Sequence, residues 1–577
     1  MNNTIELTKT IRLLSRTGLI AAGLILAGLF ISCCCFLFSG HDQLAHWYLG
    51  LNAPFYKSSV WSTSFFTKGI KSDGNIYCIL ALLVTGFFLW LTWSRFKKRN
   101  SQPSTFSITY NTADIIPVLL SLLSTILLWL WGNRTALPAS DEVFSALNVA
   151  AIHPLQAVSY YMLPNNHLFF NLLNNLVFHF CADKVFTGRL ISLLAYATLI
   201  LILYYWLKDL IKNRWLALLV SITLGLQFQV WGFSFQARGY EVYLLAEWGM
   251  VISLFRYLLS GNDKWLRWNV LSCTVGFFCL PSFLYFYLAQ LAFVVIYRLV
   301  YKTKDLLFWK HQLATIGLTY LCYLPMLCFS GVEAITKNSY IVAMGAFKDK
   351  GRLAFAQWMF TYVQPYITHI FSDLQWNNVP VSMILYFLPL LLIFNRKNKA
   401  NVVFGLLYAC MWLCFFGVVI VMLRLPFERN LTGQYSFTLL GVLLVALWLA
   451  DALARLGKTA FVKWILFPGI TLLFAIHFLR TNEFFLKDTL YEYDVNAYYK
   501  EKTLWLANLP AGSTVAFSDE DFYSYFVCLR SGYKVSRYPT GMEQYYIKEA
   551  FEEIPQPYTA NYELAKKQDG NEIWKRK

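Results

Sequence analysis

Two adjacent carboxylates, Asp141-Glu142, are the first side chains in the sequence that could do chemistry. They follow the third long apolar segment by about ten residues, a position that predicts a membrane edge. A carboxylate there can stay ionised and accept a proton from a hydroxyl group. The run Ser140-Asp141-Glu142 also suits the start of a helix, where acidic side chains interact favourably with the helix dipole. The sequence leaves both interpretations open.

Two arginines lie in short polar segments between apolar ones. Arg238 belongs to Gln236-Ala237-Arg238-Gly239-Tyr240-Glu241, and Arg429 follows Glu428. A guanidinium at a membrane surface can bind a phosphate through paired hydrogen bonds and can stabilise the charge of a departing phosphate. Snorkelling from a helix end, or an ion pair with Glu241 or Glu428, explains the same residues without a ligand.

A third candidate segment, Ser159 to Phe170, combines aromatic residues with amides and a histidine. Its Pro164-Asn165-Asn166-His167 run breaks the helical pattern, so we predict an interfacial helix followed by a turn. An aromatic belt at the membrane surface would explain the aromatic residues, but it does not explain Asn166 and His167.

Glu247 lies inside an apolar segment, where a carboxylate is costly unless it faces a cavity or a partner. It follows Glu241 by six positions, which is about 240° around a helix, so the two side chains should not share a face. Glu247 is a functional candidate without an assigned role.

Several common catalytic motifs are missing from the sequence. It has no phosphate-binding loop of the Walker type, no GxSxG, no HExxH and no CxxC. Work driven by ATP is therefore not indicated. The sequence predicts no cofactor, and it neither signals nor excludes a divalent metal.

The composition predicts that these residues are positioned by helices in a membrane. Of 577 residues, 57% are hydrophobic and only 14% are charged. Apolar runs near the roughly 20 residues that a helix needs to cross a bilayer favour an all-α polytopic protein. The net charge of +17 falls in short clusters between these runs, which indicates membrane topology and not a nucleic-acid surface.

Basic clusters in short loops, beginning with Arg95 to Arg99, order the segments by the positive-inside rule. They predict about thirteen transmembrane helices, with Asn269 to Val300 forming two short helices that turn at Leu280-Pro281-Ser282. Residues 132–188, 331–380 and the tail would lie on the non-cytoplasmic face. All the candidate residues except Glu247 then fall on that face.

Three regions are expected along the chain. Residues 1–113 form a two-helix N-terminal extension, 114–479 the main membrane domain, and 480–577 a small extracytoplasmic α/β domain. In this last domain we predict a strand at Ser513 to Phe517, a helix near Asp521 to Arg530 and a terminal hairpin at Asp569-Gly570.

Taken in order, these segments resemble the GT-C superfamily of membrane glycosyltransferases. The likeness is to the branch that contains the protein O-mannosyltransferases and the bacterial lipid A aminoarabinose transferases. It is carried by Asp141-Glu142, Pro164-Asn165-Asn166-His167, Gly188-Arg189-Leu190-Ile191-Ser192-Leu193-Leu194 and Gln236-Ala237-Arg238-Gly239-Tyr240. The two helices of the N-terminal extension depart from the pattern of the family, which usually begins with the helix before the acidic pair.

The resemblance implies an inverting glycosyltransferase that moves a sugar from a polyprenyl-phosphate carrier to a lipid, glycan or protein acceptor. Its active site would lie on the extracytoplasmic face of a membrane, as in the inner membrane of a bacterial cell envelope. By analogy Asp141 would be the base and Glu142 would help to position it. The remaining site residues divide into phosphate ligands and pocket residues: Arg238, Arg429 and His167 for the phosphate, and Asn166, Tyr240 and Glu241 for the donor or acceptor pocket.

A transporter or flippase of lipid-linked sugars is the alternative, because many helices around a cavity could also carry a substrate across. Transporters often contain inverted repeats and paired broken helices. The sequence contains no internal repeat, and Pro281 marks a single interruption. A structural or assembly protein that uses its tail as a binding module is a second alternative.

Overall fold

The computed structural model describes most of the chain as helices joined by short connections. It describes residues 2–6, 8–51, 66–99, 107–136, 138–161, 166–181, 183–302, 306–336, 351–368, 375–376, 379–423, 428–455, 465–484, 506, 508–517, 527–528, 531–536, 540–548, 556–568 and 571–577.

Nine helical segments among these residues are long and apolar enough to cross a membrane. They are Thr17–Phe38, Lys68–Ser94, Thr112–Arg134, Lys184–Ile211, Tyr240–Ser260, Pro281–Tyr301, Leu306–Phe329, Lys399–Met422 and Arg429–Ala454. The pair Arg214–Gly225 and Phe228–Ser234 adds a tenth if it forms one span. The chain is thus an integral, multi-pass membrane protein with an all-α membrane domain. The predicted number of about thirteen stays a prediction.

The remaining helices are shorter or interrupted. The helices outside the spans are His41–Gly50, Ser140–Ser145, Pro154–Ser159, Leu168–Val177, Lys264–Cys279, Glu333–Thr336, Gly351–Thr368, Val381–Phe387, Phe467–Phe484 and Gln556–Asn561. Separately, 3₁₀ turns occur at Pro281–Phe283, Leu388–Phe394 and Glu428–Leu431, and a π-helical turn occurs at Ala146–Ala150. The predicted pair of short helices around Leu280 is confirmed, since Lys264–Cys279 and Leu284–Tyr301 are separated by the turn Pro281–Phe283. Proline begins this turn because it cannot donate to a preceding helix.

The apolar segment near residues 215 to 231 is interrupted by a bend. The chain bends by 75° between Gly225 and Phe228. The Tyr196 hydroxyl donates to the Gly225 carbonyl at 3.0 Å, and the Asn482 amide donates to the Leu226 carbonyl at 2.7 Å. In a straight helix, backbone N–H groups one turn later would donate to these carbonyls. At the bend, side chains supply the hydrogen bonds instead.

The N-terminal part of the chain packs as a hairpin on the membrane domain. Its helices Thr8–Phe38 and Lys68–Arg99 pack against each other, and the second also packs against Leu306–Phe329. Strands Asn2–Glu6 and Ser107–Asn111 pair in antiparallel fashion. The two ends of this region therefore meet.

A ring of three amides joins helices in the middle of the membrane domain. Asn269 donates to Gln290 at 2.6 Å, Gln290 to Gln312 at 3.4 Å, and Gln312 back to Asn269 at 3.2 Å. All three side chains are buried. Such hydrogen bonds hold transmembrane helices in register where no water can replace a partner.

The C-terminal domain contains a five-stranded sheet, as the predicted α/β unit requires. Its strands are β1 (Thr514–Phe517), β2 (Lys534–Ser536), β3 (Tyr545–Lys548), β4 (Tyr562–Gln568) and β5 (Asn571–Arg576), in the order β2-β1-β3-β5-β4. β1 runs parallel to β2 and β3, while β5 runs antiparallel to β3 and β4. A two-residue pair, Gln375–Trp376 with Val379–Pro380, is separate from this sheet.

Two of the three predictions for this domain are confirmed: the strand near 513–517, and the terminal hairpin, in which Gln568 pairs with Asn571. The predicted helix at 521–530 lies almost wholly outside the described residues.

The sheet packs directly on the membrane domain. Buried side chains of the C-terminal domain, including Val515, Ile547 and Ile573, form one apolar cluster with Val143 and with Ala237. Because Val143 follows the acidic pair and Ala237 precedes Arg238, the C-terminal domain shares its core with the two segments that carry the principal candidate residues.

Candidate functional site

The acidic pair lies in the short helix Ser140–Ser145, and its two carboxylates face different neighbours. The Glu142 carboxylate accepts a hydrogen bond from the Ala139 backbone at 3.1 Å, as expected at a helix start. Asp141 lies at the more exposed side of the helix, with a side chain 36% exposed against 1% for Glu142. The interpretation as a helix start therefore fits Glu142, while Asp141 is directed to the arginines.

Glu142 forms a buried two-pronged ion pair with Arg189. Arg189 Nε lies 3.0 Å from Oε2, and Nη2 lies 3.2 Å from Oε1. The other guanidinium nitrogen donates to the Asn133 side chain at 2.9 Å and to the Ala136 carbonyl at 3.2 Å. Paired hydrogen bonds of this kind fix orientation as well as charge. Arg189 thereby joins the short helix to the long helix Lys184–Ile211.

Arg189 belongs to the motif Gly188 to Leu194, but no role for it is predicted from the sequence. The signal was present, because an arginine within an apolar segment requires a partner. What the sequence could not supply was the identity of that partner, Glu142, which lies 47 positions earlier.

The segment around Arg238 is fastened to the same framework. The Ala237 backbone donates to Glu142 Oε2 at 2.8 Å, and the Ser192 hydroxyl donates to the Gln236 carbonyl at 2.6 Å. A Cβ atom at Gly188 would lie 2.7 Å from the Ala237 Cβ, so only glycine lets the helix approach this closely. Glu142 therefore contacts the elements that carry both Asp141 and Arg238.

Five of the predicted site residues meet in what we call the charge cluster: Asp141, His167, Arg238, Tyr240 and Arg429. Arg238 makes a hydrogen-bonded ion pair with Asp141, and Arg429 Nη1 lies 3.7 Å from the same carboxylate oxygen. The guanidinium carbons of Arg238 and Arg429 lie 5.1 Å and 5.8 Å from the centre of the Tyr240 ring, in the range of cation–π contacts.

The cluster is closed on the Arg238 side and open on the other. The Arg238 side chain is 3% exposed, whereas Asp141 and Arg429 are each 36% exposed. A ligand would therefore approach past Asp141 and Arg429 and meet Arg238 at the base of the site.

His167 completes the cluster as a neutral acceptor. Its Nε2 lies 3.3 Å from Arg238 Nη2, and its ring meets Tyr240 edge to face at 4.7 Å. Burial lowers the pKa of His167 well below its usual value, and the nearby positive charges of Arg238 and Arg429 lower it further. Since Arg238 can only donate, Nε2 is assigned as the acceptor and Nδ1 carries the proton.

Gly239 makes this approach of the imidazole possible. A Cβ atom there would lie 2.8 Å from the His167 Cβ. The glycine after Arg238 is therefore explained by close packing, because its φ of −74° is open to any residue.

Asn166 and Glu241 do not join the charge cluster. The Asn166 amide donates to the carbonyls of Ala157 and Tyr160, and its oxygen accepts from Asn171, so it fixes the turn before His167. The Glu241 carboxylate is fully buried and has no hydrogen-bond partner within the described part of the chain. The sequence also allowed an ion pair between Glu241 and Arg238, which would explain Arg238 without a ligand. No such ion pair occurs among the described residues.

The charge cluster is chemically suited to an anion. It combines two guanidinium groups with one carboxylate and a neutral imidazole, which leaves one positive charge in excess. Groups of three or more His, Cys, Asp or Glu side chains that could hold a metal ion are not found among the residues that the structure describes. A phosphate with attached organic groups fits the two arginines in charge and in hydrogen-bonding geometry.

An apolar cavity of about 630 Å³ lies within the membrane domain. It is bounded by the helices Leu168–Val177, Lys184–Ile211, Tyr240–Ser260 and Lys264–Cys279, and its wall includes Phe169, Leu173, Val242 and Leu245. None of the charge-cluster residues lines this cavity. Val242 follows Tyr240 by two positions, about 200° around the helix, so the two side chains point to different faces.

The comparisons found similarity in structure only. No family model matches the chain, and no curated protein matches it significantly in sequence. The crystal structure of ArnT from Cupriavidus metallidurans in the apo state is similar, with a TM-score of 0.44 and 11% identity over 80% of this chain and 98% of that one. The same protein bound to undecaprenyl phosphate gives a TM-score of 0.40 and 11% identity, over 79% and 97%. At these TM-scores and identities, the likenesses assign neither a superfamily nor a residue role to this chain.

Proposed function

We propose that this protein is an inverting glycosyltransferase that uses a polyprenyl-phosphate-linked sugar as donor. The acceptor is a hydroxyl or amine of a lipid, glycan or protein on the extracytoplasmic face of the membrane. The observation that carries the proposal is the charge cluster, in which two arginines lie close to the same oxygen of one partly exposed carboxylate.

The donor phosphate would bind to Arg238 and Arg429. Both guanidinium groups lie near the same Asp141 oxygen, and Arg238 Nη2 also contacts His167 Nε2 and the Tyr240 hydroxyl. Negative charge grows on the phosphate as the bond to the sugar breaks, and preorganised donors stabilise that charge without reorganising. The neutral state of His167 leaves the positive charge of the site on the arginines.

Asp141 would act as the base. As the acceptor oxygen attacks the anomeric carbon, the carboxylate takes the acceptor's proton and the bond between that carbon and the phosphate oxygen breaks. Polyprenyl phosphate leaves with the bonding electrons, and the configuration at the anomeric carbon inverts. Binding of the phosphate would draw Arg238 and Arg429 away from Asp141 and free the carboxylate for this step.

The apolar side chains of the membrane domain would hold the isoprene chain of the donor, since burial of apolar surface contributes roughly 25 cal/mol per Å². Transfer from a lipid-linked donor needs no ATP, which agrees with the missing nucleotide-binding motifs.

The direct test is release of polyprenyl phosphate by purified protein in lipid nanodiscs. Polyprenyl-phosphate sugars would be supplied with a panel of acceptors, and donor and product would be separated by mass. We expect acceptor-dependent release of polyprenyl phosphate with one sugar. In liposomes, movement of the donor across the bilayer without release would instead establish the flippase alternative.

Arg238→Ala provides the residue-level test. We expect kcat/KM for the donor to fall by about 10²–10³-fold, as for loss of one preorganised donor to a developing charge. Arg256→Ala is the matched control. Arg256 forms an ion pair with Asp209 at 2.9 Å and lies roughly 24 Å along the helix Tyr240–Ser260 from Tyr240, the end of that helix next to Arg238. Equal donor kinetics in the two variants would remove Arg238 from the mechanism.

A further inference from the structure

Glu247 is a buried carboxylate that the proposed transfer reaction does not use. It lies in the middle of the helix Tyr240–Ser260 and is fully buried. Neither of its carboxylate oxygens makes a hydrogen bond of normal geometry within the described part of the chain. An enclosed charge of this kind needs a compensating partner, since transfer of an isolated ion into an apolar medium is very costly.

Two hydroxyl groups lie near the Glu247 carboxylate, one on its own helix and one in the turn Pro281–Phe283. The Tyr243 hydroxyl, one helical turn earlier, lies between the Glu247 carboxylate and the hydroxyl of Ser282 in the turn Pro281–Phe283. Both hydroxyl oxygens are buried and make no hydrogen bond of normal geometry to any described residue. On the third side is Gly433, the second residue of the helix Thr432–Arg455, where a Cβ atom would overlap the Glu247 carboxylate.

This arrangement differs from the ring of amides one helix away. Asn269, Gln290 and Gln312 satisfy one another and are neutral. At Glu247 the oxygens are in excess and no described Lys, Arg or His side chain pairs with them. A missing positive charge explains both facts.

We propose that Glu247, Tyr243 and Ser282 bind a single dehydrated monovalent cation, with Na⁺ as the probe. Oxygen-only ligands select hard cations, and one carboxylate neutralises one positive charge. A divalent ion would leave an excess charge in the apolar interior, which is costly for the same reason as the unpaired carboxylate. This site goes beyond the proposed transferase function and does not depend on it.

The cation would connect the helix Tyr240–Ser260 with the turn Pro281–Phe283. The helix Thr432–Arg455 packs against Glu247 through Gly433, and it begins directly after the 3₁₀ turn Glu428–Leu431 that carries Arg429. Occupancy would therefore stabilise the segment that supports one side of the charge cluster.

The test is thermal unfolding of the full-length protein in nanodiscs without any substrate. NaCl is varied against choline chloride at constant ionic strength. We expect a saturable rise of at least about 2 °C in Tm with Na⁺, because a ligand that binds only the folded state stabilises it by mass action. A Tm that is independent of Na⁺ would overturn the proposal, and a Tm that depends on pH alone would assign a proton to Glu247 instead.

Variants assign the effect to this site. Glu247→Gln should abolish the Na⁺ dependence, while Glu241→Gln, a buried carboxylate on the same helix, should retain it. Ser282→Ala removes one neutral ligand and should raise the half-saturating Na⁺ concentration by about tenfold, consistent with one lost ligand.

If Glu247→Gln does not fold, the half-saturating Na⁺ concentration of Ser282→Ala tests the site. A concentration equal to that of the parent would overturn the proposal. The readout needs no donor, so it can fail or succeed independently of the transferase proposal.

Discussion

The amide ring and the charge cluster are both polar groups inside a membrane protein, but their hydrogen bonding differs. In the ring, Asn269, Gln290 and Gln312 each donate to and accept from another member, and all are neutral. In the cluster, Arg238 and Arg429 share a single carboxylate, which is partly exposed. A closed and neutral network has nothing left to bind, whereas an open cluster with unequal charges does. The ring is therefore structural, and the cluster is the candidate site.

The largest expected effect comes from Asp141→Asn. The amide cannot take the acceptor's proton, so we expect the transfer rate to fall by about 10²–10⁴-fold. Tm should fall by less than for loss of a fully buried ion-pair partner, because Asp141 is partly exposed and the amide oxygen can still accept a hydrogen bond from Arg238. The measurement is single-turnover release of polyprenyl phosphate together with thermal unfolding. A variant that keeps its turnover would show that the open cluster is as structural as the ring.

Arg189→Ala should cost stability first and activity second. It leaves Glu142 buried without its charged partner, and loss of one member of a buried ion pair costs about 3–5 kcal/mol. Arg189→Lys should recover part of the stability but not the paired hydrogen bonds. If Arg189 positions Arg238 through Glu142, the lysine variant that does fold should show a raised KM for the donor. A parental KM would limit Arg189 to folding.

Gln290→Leu tests the ring in the same way. It leaves Asn269 and Gln312 each short of a hydrogen-bond partner, which costs about 1–3 kcal/mol of stability. We expect a lower Tm and parental donor kinetics at a temperature where the variant is folded. A marked loss of kcat at that temperature would contradict the division between a structural ring and a functional cluster.

The smallest effect is a pH dependence from His167. Its pKa in the folded protein is lowered, so the unfolded chain takes up a proton that the folded protein does not as pH falls below about 6.5. Stability should then decrease with falling pH, by up to about 1.4 kcal/mol per pH unit from this group. His167→Gln should show a correspondingly smaller slope in unfolding free energy between pH 6.5 and 5. Equal slopes in parent and variant would argue against a neutral buried imidazole.

Sequence reasoning predicted the residue types of the site well and their partners poorly. Asp141, Arg238 and Arg429 were chosen because each places a charge next to an apolar segment, and the structure brings them together across gaps of 97 positions and more. Arg189 was overlooked because its partner depends on how two helices pack. Hydrophobic length and charge fix where a helix ends, but they do not fix its rotation against its neighbours.

The same limit explains the placement of Glu241 and of the bend at Gly225. Glu241 follows Tyr240 directly, yet successive residues of a helix point about 100° apart, so only one of the two can face the cluster. The bend depends on Tyr196 and Asn482, which are distant in sequence from the carbonyls that they bind. The hairpin at Pro281 was predictable because proline acts locally.

The contact between the C-terminal sheet and the segments of Asp141 and Arg238 has a consequence for how this protein can change. Val143, Ala146, Val185 and Ala237 belong to the same apolar cluster as the strands. A protein shortened before the sheet would expose these side chains to water beside Asp141, the proposed base. Replacement of the whole tail would therefore also disturb the packing that supports Asp141, whereas changes in loops of the tail away from this apolar cluster would leave it intact.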